Sequence, residues 1–168
     1  MAGQVLIGVS GWRYTPWRGH FYPPGLAQSR ELQHASRAFP SLELNGSFYS
    51  LQHPASYATW ARDTPPGFVF AVKGSRYITH MLKLRNVDVA LANFFASGLF
   101  ALGEKLGPIL WQFPPMLRFH PEVFEAFFRM LPATTHEAAR IARRHDQRLE
   151  GRALLEPGRN RRLRHAVG

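Results

Sequence analysis

The chain has 168 residues, the length of one domain, and 45% of them are hydrophobic, enough for a packed core. The absence of cysteine excludes disulfides, thiol nucleophiles and cysteine-based zinc sites. The net charge of +10 leaves nucleic acid open as a partner. No run of about 18 apolar residues and no signal-peptide pattern occurs, so we expect a cytoplasmic protein without a membrane span.

Short apolar runs alternate along the chain with segments of helical periodicity. The apolar runs predict strands at 5–10, 42–45, 68–73 and 108–113, and residues 163–167 could begin another. Helices are predicted at 29–39, 54–63, 86–102, 121–131 and 135–149, with Asn86 and Thr135 as caps of the third and fifth. Two long loops, at 11–25 and 74–85, follow the first and third strands.

This β-α alternation predicts an α/β protein with parallel strands and right-handed connections. One face of each strand carries large apolar side chains, and the other ends in a polar residue. Those polar residues are Ser10, Glu43 with Asn45, Lys73 and Gln112. The pattern favours a partial TIM-type (β/α)8 barrel of about four to five βα units, with its polar ends at the barrel mouth. A flavodoxin-like open sheet is the alternative, although it should be apolar on both faces.

Several short motifs together resemble the YecE-like family, also called domain of unknown function 72. They are residues 8–12, Tyr14 with Trp17, 21–23, 43–49, 70–73, Thr79-His80 and 106–115. The resemblance implies a TIM-type barrel that is distantly similar to sugar isomerases, with no established reaction. Family members continue well beyond residue 168. We therefore expect a single domain, residues 1–168, truncated after its first half, with a basic helical end at 136–168 and open sheet edges.

Glu43 and Lys73 end adjacent predicted strands, which lie about 4.8 Å apart, so their side chains can meet. Glu43 could act as a general base, with Lys73 as its partner or as the cation for an oxyanion. Lys73 could instead form a Schiff base, although the neighbouring carboxylate disfavours this. The plainer interpretation is a structural ion pair.

Other side chains are placed to complete a site at the same end of the sheet. His80 suits proton transfer and is the third catalytic candidate. The substrate-binding candidates, which could instead simply pack or hydrogen-bond within the protein, are Trp12, Tyr14, Asn45, Tyr49 and Gln112. No metal is predicted, because Glu43 with His80 is too small a ligand set, and the cofactor is unknown.

The leading hypothesis is a sugar-directed enzyme with a small sugar-like ligand. The first alternative is a nucleic-acid binding module that uses the first-loop aromatics and the nine arginines between Arg140 and Arg164. The second is an inactive truncated fragment.

Overall fold

The computed structural model describes residues 4–168, in which five parallel strands form one sheet in the order β1-β2-β3-β4-β5. The strands are β1 Gly8–Ser10, β2 Ser41–Leu44, β3 Val69–Lys73, β4 Leu106–Trp111 and β5 His165–Val167. The α-helices are α1 Glu31–Ala38, α2 Gly46–Tyr49, α3 Pro54–Asp63, α4 Asp88–Ala96, α5 Pro121–Met130 and α6 Thr135–Ala142. The predicted α/β class with a parallel sheet is confirmed.

The sheet order separates the two fold hypotheses. Each strand pairs with the next strand of the chain, in parallel. A flavodoxin-like sheet has the order 2-1-3-4-5, so that alternative is wrong. Leu42 and Leu44 of β2 are buried, whereas the alternate residues Ser41 and Glu43 are partly exposed. Sequential order with one covered face is the arrangement of part of a TIM-type barrel.

The hydrophobic core lies between the covered face of the sheet and the helices. Trp111 of β4 is fully buried, and its ring centroid lies 5.5 Å from that of Phe94 and 5.3 Å from that of Phe127. Lys105 donates to the carbonyl oxygens of Ala61 and Thr64 at the end of α3, which satisfies orphan acceptors of that helix. Burial lowers the pKa of Lys105.

Two predicted elements are shorter than expected. The first strand begins at Gly8, and Val5 and Ile7 are 84% and 76% exposed, because β1 is an edge strand of the described sheet. The third predicted helix ends at Ala96, since Gly98 has a φ of 119° that only glycine adopts easily. Asn86 does not cap this helix, and has a positive φ of 51° itself.

The basic end is helical only at its start. Helix α6 ends at Ala142, whereas the predicted helix extends to residue 149. Between these two positions only a short 3-10 turn, Gln147–Leu149, is helical. Its cap is Thr134, not Thr135, because the Thr134 hydroxyl accepts a hydrogen bond from the Glu137 N–H. The additional strand anticipated at 163–167 is present as β5.

A partly buried histidine joins β5 to β4. The Trp111 Nε1–H donates to His165 Nδ1 at 3.1 Å, and Nε2 of His165 lies 2.8 Å from the carbonyl oxygen of Pro132. With Nδ1 accepting, Nε2 carries the proton and the ring is neutral. Burial lowers the pKa of His165, and the hydrogen bond to Pro132 opposes this shift without reversing it.

We expect the stability of the protein to fall in mild acid. A group whose pKa is depressed by folding stabilises the fold above its unfolded pKa, about 6.5 for histidine, and this is lost as pH falls. Melting temperatures measured from neutral to mildly acidic pH should fall less steeply for His165→Gln than for wild type. His120→Gln, in an exposed position, should keep the wild-type slope. Equal slopes in all three proteins would contradict the role of His165.

Candidate functional site

The loop between β1 and α1 is held rigidly against the sheet. The Gly11 N–H donates to the carbonyl oxygen of Glu43 at 2.9 Å, which ties the loop to β2. Arg18 Nε lies 2.7 Å from Oε1 of Glu31, a completely buried carboxylate at the start of α1. The Tyr22 hydroxyl donates to the carbonyl oxygen of Trp12. Burial and the charge of Glu31 raise the pKa of Tyr22 to about 12, so this hydroxyl remains a donor.

Four polar side chains meet at the carboxyl ends of β1, β2 and β3. The Ser10 hydroxyl donates to Glu43 Oε1 at 2.8 Å, and Asn45 Nδ2 donates to the Ser10 oxygen at 2.7 Å. Lys73 Nζ lies 3.0 Å from the same Oε1. Among residues 4–168, no hydrogen bond reaches Glu43 Oε2. This carboxylate is therefore held by one oxygen and can accept from a ligand with the other.

The strand register explains why these side chains meet. Ser10 pairs with Glu43, and Glu43 pairs with Ala71, so Lys73 is the diagonal neighbour of Glu43 on the same face. The predicted meeting of Glu43 and Lys73 is thus present. Their side chains are 19% and 15% exposed, so a small molecule can reach the pair.

Asn45 carries a polar atom without a partner. Its Oδ1 is buried and accepts no hydrogen bond within residues 4–168. A buried acceptor left in this state costs about 1–3 kcal/mol. Such a cost is more typical of a functional site than of a network selected for stability alone.

His80 lies near this cluster, separated from it by an aromatic ring. The Phe48 ring centroid is 5.5 Å from Lys73 Nζ and 5.2 Å from the centroid of the His80 ring. Thr79 Oγ1 lies 2.8 Å from His80 Nδ1. Partial burial and the charge of Arg76 lower the pKa of His80, so the imidazole is neutral at pH 7.

The segment that carries His80 has an unusual backbone. Residues Tyr77–Met81 form a π-helical turn, a rare conformation that is frequently found at functional sites. Lys83, Leu84 and Asn86 follow with φ values of 50°, 67° and 51°. Left-handed backbone costs a residue other than glycine about 1–2 kcal/mol, so the loop that follows the His80 segment is strained.

The other predicted binding residues lie at different distances from the cluster. Tyr14 joins it, since its hydroxyl donates to the Ser10 carbonyl oxygen. Trp12 is only 9% exposed and packs on Trp60 with centroids 5.7 Å apart. The structure does not bring Tyr49 or Gln112 to the cluster. Tyr49 is 68% exposed, and the guanidinium carbon of Arg76 lies 5.8 Å from the centroid of its ring. Gln112 is exposed, and its side chain forms no hydrogen bond with any of the described residues 4–168.

Ser10 in the cluster and Phe48 beside it were not among the predicted site residues. Ser10 was interpreted only as the polar end of a strand, although its alignment with Glu43 follows from pairing the two strand ends. Phe48 lies next to Tyr49 in the motif, and a helical turn after Asn45 directs Phe48, not Tyr49, toward Lys73. Local spacing did not distinguish these two aromatics.

Residues 4–168 contain neither a cluster of metal ligands nor a membrane-spanning helix. No group of three or more histidine, aspartate or glutamate side chains in this range is arranged to hold a metal ion. None of the helices in the range has the length and apolar character to span a bilayer.

Part of the positive charge at the basic end is compensated within the protein. Arg143 pairs with Glu156 at 3.2 Å, Arg148 with Asp146 at 3.0 Å and Arg161 with Glu104 at 3.5 Å. Hydrogen bonds from Asn93 and Arg148 lower the pKa of Asp146, so this partner stays ionised. These arginines are therefore not simply an unpaired cationic surface.

The parallel sheet and the polar cluster at its strand ends define the class as an α/β protein with a candidate site on the carboxyl-end face. The family model for the protein of unknown function DUF72 matches residues 6–166, so the chain belongs to the DUF72 family. This confirms the resemblance found in the sequence.

The chain is similar to one relative in sequence and to one solved structure in fold. The UPF0759 protein YunF of Bacillus subtilis (strain 168) is 33% identical over 117 residues, which are 67% of this chain and 40% of YunF. The crystal structure of a DUF72 family protein from Enterococcus faecalis V583 has a TM-score of 0.55 at 16% identity. That match covers 73% of this chain and 44% of the other, so the chain spans less than half the length of both relatives.

Proposed function

We propose that the carboxyl-end face of the sheet binds a small polyhydroxylated, sugar-like molecule and transfers a proton on it. The observation that supports this most is Glu43, which Ser10 and Lys73 hold through Oε1 while Oε2 has no partner among residues 4–168. A carboxylate held in this way is oriented as a general base. Lys73 would place its positive charge beside the oxygen on which negative charge develops.

Neighbouring groups support the same proposal. Asn45 is oriented by its bond to Ser10, and its amide can direct a ligand hydroxyl. A neutral His80 can accept a proton, although Phe48 separates it from Lys73, so we propose it as a second acid–base group at the edge of the site. Tyr49 and Gln112 would contact only a ligand that extends beyond the cluster.

Glu43→Gln should abolish proton transfer while leaving the protein folded. The glutamine keeps the shape of the side chain but cannot accept a proton from carbon. Aldoses and ketoses are incubated with the protein in deuterium oxide, and loss of the hydrogen next to the carbonyl group is followed by nuclear magnetic resonance. Wild type should exchange this hydrogen, and Glu43→Gln should be slower by about 10²–10⁴-fold.

A matched control separates catalysis from stability. Glu125→Gln removes an exposed glutamate on α5 that also pairs with an arginine, and exchange should not change. A Glu43→Gln protein that loses stability but exchanges or binds sugars as wild type does would show that the ion pair is structural. Absence of exchange by wild type with every sugar would overturn the general-base role.

Nucleic-acid binding through the basic end is the other hypothesis, and cytoplasmic localisation likewise stays a prediction. Several arginines of this end already pair with carboxylates, which reduces the charge open to phosphates. Binding of single-stranded RNA that weakens steeply with added salt would favour this hypothesis over the sugar site.

A further inference from the structure

A cleft of about 650 Å³ opens beside the Glu43–Lys73 pair, between the first loop and α3. Neither Glu43 nor Lys73 lines it, but Asn45 does. Because Asn45 donates to Ser10 and Ser10 donates to Glu43, a single hydrogen-bonded chain joins the cleft to the carboxylate. A ligand that contacts Asn45 in the cleft would therefore lie two hydrogen bonds from the proposed base.

One wall of the cleft comes from a single face of α3. Ser56, Thr59 and Trp60 line it with the i, i+3, i+4 spacing that places helical side chains side by side. No hydrogen bond within residues 4–168 uses the Ser56 or Thr59 hydroxyl. Gln52 donates to Ser50, which leaves its carbonyl oxygen as an acceptor. The wall thus combines unpaired hydroxyl groups with an indole ring, which suits a ligand with both hydroxyls and C–H surfaces.

The charge of the cleft is positive. Arg13 is the sole charged residue among those described that line it. No carboxylate of residues 4–168 lies within 4.0 Å of the Arg13 guanidinium. An exposed guanidinium without a protein partner can bind a carboxylate or phosphate with two hydrogen bonds.

We propose that the cleft binds a polyhydroxylated carbon chain that ends in an anionic group, a sugar acid or a sugar phosphate. Arg13 binds the anionic group, Trp60 contacts the C–H face, and Ser56, Thr59 and Gln52 bind hydroxyls. The opposite end of the chain reaches Asn45. This assignment names the substrate class of the proposed function. It rests on the proposed function in one respect, that Glu43 acts on the molecule bound in the cleft.

The test uses the full chain and four probes, sodium gluconate, glucose 6-phosphate, glucose and inorganic phosphate, with binding measured by titration calorimetry. At least one of the two anionic sugars should bind at least about tenfold more tightly than glucose and than inorganic phosphate. Arg13→Gln should remove this preference, and Thr59→Val should weaken the binding of the anionic sugars and of glucose alike. Arg62→Gln, on the exposed side of α3, should bind as wild type does.

The outcomes separate the cleft from the proposed catalytic role. Binding of neither anionic sugar, equal binding of glucose, binding of inorganic phosphate as tight as that of the sugar phosphate, or no effect of Arg13→Gln would each overturn the assignment. Comparing the affinity for gluconate with that for glucose 6-phosphate shows whether the cleft prefers a carboxylate or a phosphate group. If Arg13→Gln weakens binding but Glu43→Gln does not slow hydrogen exchange, the cleft stands and the proposed catalysis fails. If Glu43→Gln slows hydrogen exchange but Arg13→Gln does not weaken binding, the proposed catalysis stands and the assignment of the cleft fails.

Discussion

Trp111→Ala is expected to lower the free energy of unfolding by about 3–5 kcal/mol, the range for truncating a large buried aromatic. The Trp111 side chain is completely buried against Phe94 and Phe127. It also stacks on His165 with ring centroids 6.3 Å apart, so the substitution removes both core packing and the side-chain contact that holds β5. The total free energy of unfolding of a domain of this size is about 5–15 kcal/mol, so much of the stability should be lost.

The Trp111→Ala substitution should also loosen the backbone at the candidate site. A Cβ built on Gly74 would lie 2.3 Å from the Trp111 ring, so the indole packs directly on the residue after Lys73. Hydrogen exchange of the backbone amides should therefore speed up both in β5 and at Gly74, whose N–H donates to the Leu110 carbonyl oxygen.

Chemical denaturation of Trp111→Ala, with Met116→Ala as the control, checks this expectation. Met116 is 89% exposed, so its truncation should change the unfolding free energy by less than about 0.5 kcal/mol. A Trp111→Ala protein within about 1 kcal/mol of wild type would contradict the assigned role of the indole.

Arg18→Met should destabilise the protein by about 3 kcal/mol. The substitution leaves Glu31 fully buried without its cation, and removing one partner of a buried pair costs about 3–5 kcal/mol. We expect the lower end of this range because 35% of the Arg18 side chain is exposed and solvent already screens the pair. Since Arg18 anchors the first loop, ligand binding in the neighbouring cleft should weaken as well.

A double-mutant cycle isolates this pair. Arg18→Met combined with Glu31→Leu removes the unpaired charge, so the double variant should be more stable than Arg18→Met alone. Arg129→Met, which breaks an exposed pair with Glu125, should cost less than about 1 kcal/mol. Urea denaturation gives the values for the two single variants Arg18→Met and Glu31→Leu, the double variant and Arg129→Met. Equal costs for Arg18→Met and Arg129→Met would show that burial of Glu31 has no energetic consequence.

The strands were predictable because their pattern is local. In β2 alternate residues are apolar, and in β3 the large residues Phe70 and Val72 share one face. Burial follows the same alternation in both strands of the structure. The strand-end position of Glu43 and Lys73 on the opposite face followed from this period, and so did their contact. The helix predicted for 86–102 is present but ends at Ala96, because the chain turns at Gly98, where a Cβ would lie 2.5 Å from Pro54 of another helix. That packing constraint is not visible in the helix's own sequence.

The contacts of the candidate site were less predictable than its position. Phe48 and Tyr49 are adjacent aromatics, and only the direction of α2 decides that Phe48 meets Lys73. Arg13 and Thr59 are ordinary loop and helix residues in the sequence, and they become neighbours of one cleft only when α3 packs beside the first loop.

The sequence by itself determined the α/β class, the DUF72 family and the polar ends of the strands, because periodicity and short motifs depend on near neighbours in the chain. Tertiary structure alone decided which oxygen of Glu43 is left without a partner and which side chains line the cleft. These properties arise where residues more than 30 positions apart in sequence come within hydrogen-bonding distance, as Asn45 and Ser10 do. No local pattern specifies such a contact before the strands pair.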